Sequence, residues 1–257
     1  MLTQNQIKQI KALHQKKFRI ENQQFIAEGP RLVEELLGSK FTFDGIYGKK
    51  EWIAEHSDRL QNKNIPFTEI NEKDLERISA LATPNNVIAV LNIPELTIPS
   101  DIFGKELILF LDEIKDPGNL GTIIRTANWF GIRHIFCSEN SADLFNPKVV
   151  QATMGSIAKV NVYYTNLSQL IKENAKEVNI YGAFMNGENI YDIKPDKNGV
   201  IIIGNESAGI SDDLQNLITK RISIPLHHNE NQYSPESLNA SVATAIFLYE
   251  FRRKYFV

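Results

Sequence analysis

Three stretches of this 257-residue sequence close an apolar run with polar side chains and glycines. In LILFLDEIKDPGNLGTIIRTANWF the polar residues of interest are Asn119 and Arg125. In IIIGNESAGIS they are Asn205 and Glu206, with Gly204 before and Gly209 after them. In RISIPLHHNENQYSPESLNASVATAIFLYEF the chain passes Ile224 and Leu226, then reaches Ser237, Leu238 and Asn239. Amide, carboxylate, hydroxyl and guanidinium groups placed this way can point at a ligand, and glycine lets the ligand approach the main chain. Each stretch alone has a plainer reading. Asn119 can be a helix cap, Arg125 a solvated charge, Glu206 a partner of a helix dipole, and the last stretch a terminal helix docked on a sheet.

The elements that must position these side chains follow from periodicity. Strands are expected at 107–111, 132–137, 159–164, 179–184, 200–204 and 221–224, and helices at 119–130, 146–156, 166–176, 211–218 and 237–253. This alternation reads as an α/β domain whose parallel sheet is covered on both faces. Ligands of such sheets sit outside the carboxyl ends of the strands, at helix N-termini, and all three stretches have that layout. In the first of these helices Leu120, Ile124, Ala127 and Gly131 face the sheet, with Arg125 off that stripe beside Thr122 and Trp129. In the last, Leu238, Val242, Ala245 and Tyr249 form the apolar stripe, and the small residues Ala240, Ser241, Ala243 and Thr244 allow close packing.

The first part of the chain alternates too. QQFIAEGPRLVEELLGS reads as a strand and a helix, with Pro30 in the first turn and Gly38 at the C-terminal end. FDGIYG, IPFTEI and NVIAVLNI read as strands; KEWIAEHSDRLQN and NEKDLERISAL read as helices, the second capped by Asn71. A second, mainly parallel sheet is expected. Pro94, Pro99 and Gly104 punctuate a polar stretch, which sets domains at 1–95 and 106–257 with a linker at 96–105.

Composition narrows the class. One cysteine, Cys137, excludes an internal disulfide and a four-cysteine zinc site, and it is expected to be buried. No apolar run reaches the ~20 residues of a membrane helix, and no signal peptide is visible, so a cytoplasmic setting is expected. No G-x-G-x-x-G follows a strand, and Ile210 stands where a P-loop needs lysine. His227, His228 and Glu230 lack further clustered ligands, so no metal is expected. A net charge of −3 argues against a protein that coats nucleic acid. Its distribution matters more: Lys8, Lys11, Lys16, Lys17 and Arg19 precede the first acidic residue, Glu21, within a basic arm at 1–20. They are candidate phosphate contacts, or alternatively a solvated helix end.

In their order and separation the three motifs resemble those of the SpoU (TrmH) family of RNA 2′-O-ribose methyltransferases. DEIKDPGNLGTIIRTA resembles the first motif, IIIGNESAGIS the second, and SIPL with SLNASVATAIFLYE the third. KKFRIENQQFIAEGPRLVEELL and TPNNVIAVL resemble the family's ribosomal-protein-like substrate-binding domain. The resemblance implies an α/β domain with a deep trefoil knot, S-adenosylmethionine bound in it, and a homodimer that completes the active site. It implies a structured RNA substrate, ribosomal rather than transfer RNA, and no membrane partner. Carried over by position, Asn119, Arg125, Glu206, Ser237 and Asn239 form the catalytic set, while Gly204, Ile224, Leu226, Leu238 and Asn239 line the cofactor pocket. A guanidinium stays protonated near neutral pH, so Arg125 is expected to hold a phosphate or a developing alkoxide rather than act as a free base. LHHNENQYSPE is longer than the family's loop and lacks its glycine. That departure raises the alternative of an RNA-binding relative without catalysis; the presence of all five catalytic residues favours the enzyme.

Overall fold

The computed structural model describes residues 2–99, 101–175, 177–226 and 237–255. Its elements in chain order are α1 (Gln4–Ala12), α2 (Lys16–Asn22), β1 (Gln24–Glu28), α3 (Pro30–Leu37), β2 (Phe43–Gly48), α4 (Lys50–Asn62), β3 (Phe67–Glu69), α5 (Glu72–Ile78) and β4 (Val87–Asn92). There follow β5 (Leu107–Leu111), α6 (Pro117–Trp129), β6 (His134–Cys137), α7 (Pro147–Thr153), β7 (Asn161–Tyr164) and α8 (Leu167–Asn174). The last are β8 (Ile180–Asn189), β9 (Gly199–Ile203), α9 (Asp212–Gln215), β10 (Lys220–Ser223) and α10 (Ala240–Arg252). The chain forms two compact units, Met1–Glu95 with Asp143–Ala158, and Leu96–Ala142 with Lys159–Val257. The return of α7 to the first unit has no counterpart in the periodicity of the sequence.

The first unit carries a four-stranded sheet in the order β1-β4-β2-β3. The expectation of a mainly parallel sheet is corrected here. β4 runs antiparallel to both β1 and β2, and only β2 and β3 pair in parallel. A buried carboxylate at the end of β1 secures the connection that leads into β4. Glu28 accepts hydrogen bonds from Ser79 Oγ (2.6 Å), the Ala80 amide (3.1 Å) and the Asn85 amide (3.3 Å). These bonds hold the loop after α5 at the carboxyl end of β1, so β4 enters the sheet from that end.

The basic N-terminal segment is two helices, not an extended arm. Thr3 and Gln6 close a capping box on α1, and Ile7, Ile10 and Leu13 are buried against Leu75, Ile78, Ile88 and Val90. Lys8, Lys11, Lys16 and Lys17 stay exposed. Arg19 does not, and its reading as a phosphate contact is corrected. It is 2% exposed, donates to Asp143 Oδ2 from Nε (3.1 Å) and Nη2 (2.5 Å), and donates from Nη1 to the Leu13 carbonyl (2.8 Å). A guanidinium so engaged is a structural tie within the unit.

The second unit is a six-stranded, wholly parallel sheet in the order β10-β8-β9-β5-β6-β7. β5, β6 and β9 are buried along their whole lengths, as strands covered on both faces must be. Cys137 ends β6 fully buried, and burial pushes its thiol up from the ordinary value. Because β5 and β9 are neighbours, the loops leaving their carboxyl ends meet. α10 packs on α6, but not through the expected stripe. Its buried face is Ala240, Ser241, Thr244, Phe247, Leu248 and Phe251, whereas Leu238, Val242 and Tyr249 are 44%, 49% and 51% exposed. Apolar residues line two sides of this helix, and the buried side combines Ala240, Ser241 and Thr244 with Phe247, Leu248 and Phe251.

Candidate active site

The first motif begins α6 two residues earlier than its periodicity suggests. Asp116 is the N-cap and its Oδ1 accepts from the Asn119 amide at 2.7 Å, with Pro117 at the first helical position. Asn119 is therefore not the cap, and its side chain is free for longer-range contacts. Glu206 is likewise not in the first turn of a helix. It sits in a tight turn closed by two 2.9 Å backbone bonds between Asn205 and Gly209, before α9 starts at Asp212. Gly209 has φ +71°, and a Cβ on Gly204 would lie 2.4 Å from the Gly209 carbonyl carbon. Both glycines of this motif are therefore steric requirements of the turn.

These two loops and the start of α10 join in one hydrogen-bonded line. Asn119 donates from Nδ2 to Glu206 Oε1 at 2.5 Å, and its Oδ1 accepts from Asn239 Nδ2 at 2.9 Å. Asn239 is also the N-cap of α10: its Oδ1 accepts from the Ser241 amide at 3.0 Å and the Ser241 hydroxyl at 2.6 Å. One residue thus fixes both the helix start and the end of the line. Buried Asp112 anchors the arrangement from behind, accepting from the Ser211 amide at 2.8 Å.

Of the other candidates, Arg125 is exposed on the face of α6 shared with Thr122 and Trp129, and it makes no hydrogen bond or ion pair with any described residue. Ser237 and Leu238 are exposed just before α10. Ile224 is half-buried and Leu226 is 45% exposed beyond β10. His227, His228, Glu230 and the rest of 227–236 lie outside the described residues. Glu113 is held below its ordinary value by hydrogen bonds from Lys115 and Asn140 and by the charge of Lys115. Two contributors escaped the reading of the sequence. Asp116 had a local signal, Asp-Pro-Gly at a helix start. Asp112 had none, because its partner lies 99 residues away.

Fold and geometry define an α/β protein with a hydrogen-bonded polar cluster at the carboxyl edge of a parallel sheet, accompanied by a smaller α/β unit. The chain belongs to the SpoU rRNA methylase family, whose profile matches residues 106–249. A profile for the MRM3-like substrate binding domain matches residues 4–89. The chain is similar to the 23S rRNA (guanosine(2553)-2′-O)-methyltransferase RlmP of Bacillus subtilis (strain 168), with 32% identity over 251 residues, 96% of this chain and 95% of that one. Among solved structures, a TrmH-family protein from Porphyromonas gingivalis matches with TM-score 0.85 and 36% identity, covering 99% of each chain. An AdoMet-bound rRNA methyltransferase from Sinorhizobium meliloti matches with TM-score 0.86 and 30% identity, covering 100% of this chain and 97% of that one.

Proposed function

We propose that the protein transfers a methyl group from S-adenosylmethionine to a ribose 2′-hydroxyl of structured RNA, with 23S ribosomal RNA as the substrate, and that it works as a cytoplasmic homodimer. The observation that carries this reading is the Glu206–Asn119–Asn239 line, which joins all three motifs at one sheet edge.

The residues present suit the cofactor. Gly204 leaves its main chain bare where a side chain has no room, Leu226 and Leu238 offer exposed apolar surface, and the backbone of Ile224 and Leu226 has no hydrogen-bond partner among the described residues. Together they supply an apolar wall and main-chain polar groups for a purine. When bound, the cofactor supplies a methyl group already activated on a sulfonium sulfur. The chain's own work is then positioning and the handling of one proton. Glu206 fixes the Asn119 amide, and Asn239 fixes it from the other side, so the line presents a rigid edge to the ribose. Ser237, exposed next to Leu238, meets the sugar or its phosphate in this reading.

The dimer reading rests on an exposed apolar face. Trp129 is 82% exposed on α6, and Val242 and Tyr249 are exposed on α10, which packs on α6. A second copy seated there covers this surface and brings another Arg125 to the site, where a permanent cation can hold phosphate or the developing alkoxide. The deep knot belongs to the same proposal. The small buried residues Ala240, Ser241 and Thr244 and the crowded Gly204 turn suit a tight passage of chain. In the first unit, exposed Lys8, Lys11, Lys16 and Lys17 are the proposed phosphate contacts.

Mapping 2′-O-methylation in total RNA from cells with and without the gene tests this reading. One ribosomal 2′-O-methyl mark is expected to disappear. An unchanged ribosomal pattern, or loss of a mark in transfer RNA alone, contradicts it.

A further inference from the structure

Asn205 adjoins Glu206, and both ends of its side-chain amide are engaged. Its Oδ1 accepts from the Ser207 amide (2.9 Å) and the Ala208 amide (3.0 Å), which shapes the turn. Its Nδ2 donates across 92 positions to the Glu113 carbonyl at 2.9 Å. Glu113 is held in a left-handed conformation, φ +54°, uncommon outside glycine, and the Ser138 hydroxyl accepts its amide at 2.8 Å. That backbone conformation turns the Glu113 carbonyl towards Asn205. Glu113 also opens the loop that leads through Asp116 to Asn119.

We infer that Asn205 is a positioning residue for methyl transfer, acting through Glu206; the inference rests on the proposed function. The Asn119–Glu206 bond spans two loops, and beyond the β5–β9 pairing two side-chain clamps set their separation. One is Asp112 to the Ser211 amide, beyond the far end of the turn; the other is Asn205 to Glu113, next to Glu206 itself. Without the second clamp the carboxylate rides on a turn held only at its two ends, by the Asp112 amide donating to the Ile203 carbonyl at 2.9 Å before it and by Asp112 Oδ2 on the Ser211 amide after it. A displacement of about 1 Å in a positioning group costs up to about a hundredfold in rate.

A purely structural role, in which Asn205 only shapes its own turn, makes a different forecast. Asn205→Asp keeps the acceptor oxygen for Ser207 and Ala208 but sets an oxygen against the Glu113 carbonyl. Asn205→Ser keeps a shorter acceptor, adds no charge, and cannot span to Glu113. Both variants are expected to lower kcat about tenfold to a hundredfold while leaving cofactor affinity, measured by calorimetry, within about twofold. In a Glu206→Ala background, Asn205→Ser is expected to cost less than about threefold, because the residue it positions is gone. Hydrogen exchange of the full-length protein supplies a readout independent of activity: in Asn205→Ser, amides of both 205–209 and 112–116 exchange faster. Equal fold losses in the two backgrounds, full turnover of both variants, or unchanged exchange at 112–116 overturns the inference. A wild-type protein with no methyl transfer overturns the proposed function instead, and exchange at 112–116 then decides the clamp. If Asn205→Asp fails to fold, Asn205→Ser carries the same comparisons.

Discussion

Asn119 and Glu206 are 87 positions apart and joined by a 2.5 Å hydrogen bond. The same amide accepts from Asn239 on its other side at 2.9 Å. An amide engaged at both ends has one orientation, so this pair turns three strand-end segments into a single rigid edge. Asp116 makes the arrangement possible by taking over the cap of α6.

Asn119→Ala and Asp116→Ala are therefore expected to separate activity from stability. Asn119→Ala lowers methyl transfer about a hundredfold and shifts unfolding free energy by no more than about 1 kcal/mol. Asp116→Ala costs about 1 kcal/mol of stability as a lost cap. Urea unfolding beside single-turnover assays checks both. An Asn119→Ala protein that turns over normally contradicts the role given to the line.

Trp129 and Tyr249 are expected to act in assembly. Replacing both with alanine in a Trp129→Ala, Tyr249→Ala variant removes large exposed apolar groups, each worth about 2 kcal/mol if central to an interface. Light scattering should show a monomer, and transfer should fall with it. A variant that remains dimeric places the interface elsewhere.

The basic residues of α1 and α2 divide into two kinds. Changing Lys8, Lys11, Lys16 and Lys17 to Gln should weaken RNA binding and lower its salt slope by roughly one per lysine that contacts phosphate, with stability unchanged. Asp143→Ala should do the reverse. It leaves the Arg19 guanidinium, whose side chain is 3% exposed, without its ion pair, at about 3 kcal/mol, with little change in salt slope. Filter binding across a salt series and urea unfolding check the contrast.

His14 and His134 give stability a defined pH dependence. Burial is the main cause holding both below the ordinary 6.5. The unfolded chain then binds more protons, so their contribution is present above pH 6.5 and lost as pH falls through the folded values. Carboxylates can shift stability in the same range, so the readout is a difference. Wild type should lose more stability between about pH 7 and pH 5 than a His14→Gln, His134→Gln variant. Equal losses contradict the assignment.

Much of the second unit was legible in the sequence, because a fully buried parallel strand such as Leu107–Leu111 or Gly199–Ile203 is a continuous apolar run between helical periods. The polar residues at strand ends were legible for the same reason. What was not legible depends on distant partners. β4 runs antiparallel, entered from a loop that Glu28 holds 51 to 57 positions later, and nothing local in NVIAVLNI reports direction. Arg19 looked like a surface cation because Asp143 is 124 positions away. The buried face of α10 is not legible locally because the helix carries two apolar sides, and periodicity alone does not choose between them.

In the proposed function, one edge of the parallel sheet transfers a methyl group to a ribose oxygen. Nucleoside mass spectrometry of 23S ribosomal RNA from cells lacking the gene, after incubation with purified protein and isotopically labelled S-adenosylmethionine, tests it most directly. A labelled 2′-O-methylnucleoside is predicted with wild type and essentially none with Asn119→Ala. Label in a base, or no label with well-folded wild-type protein, contradicts the account.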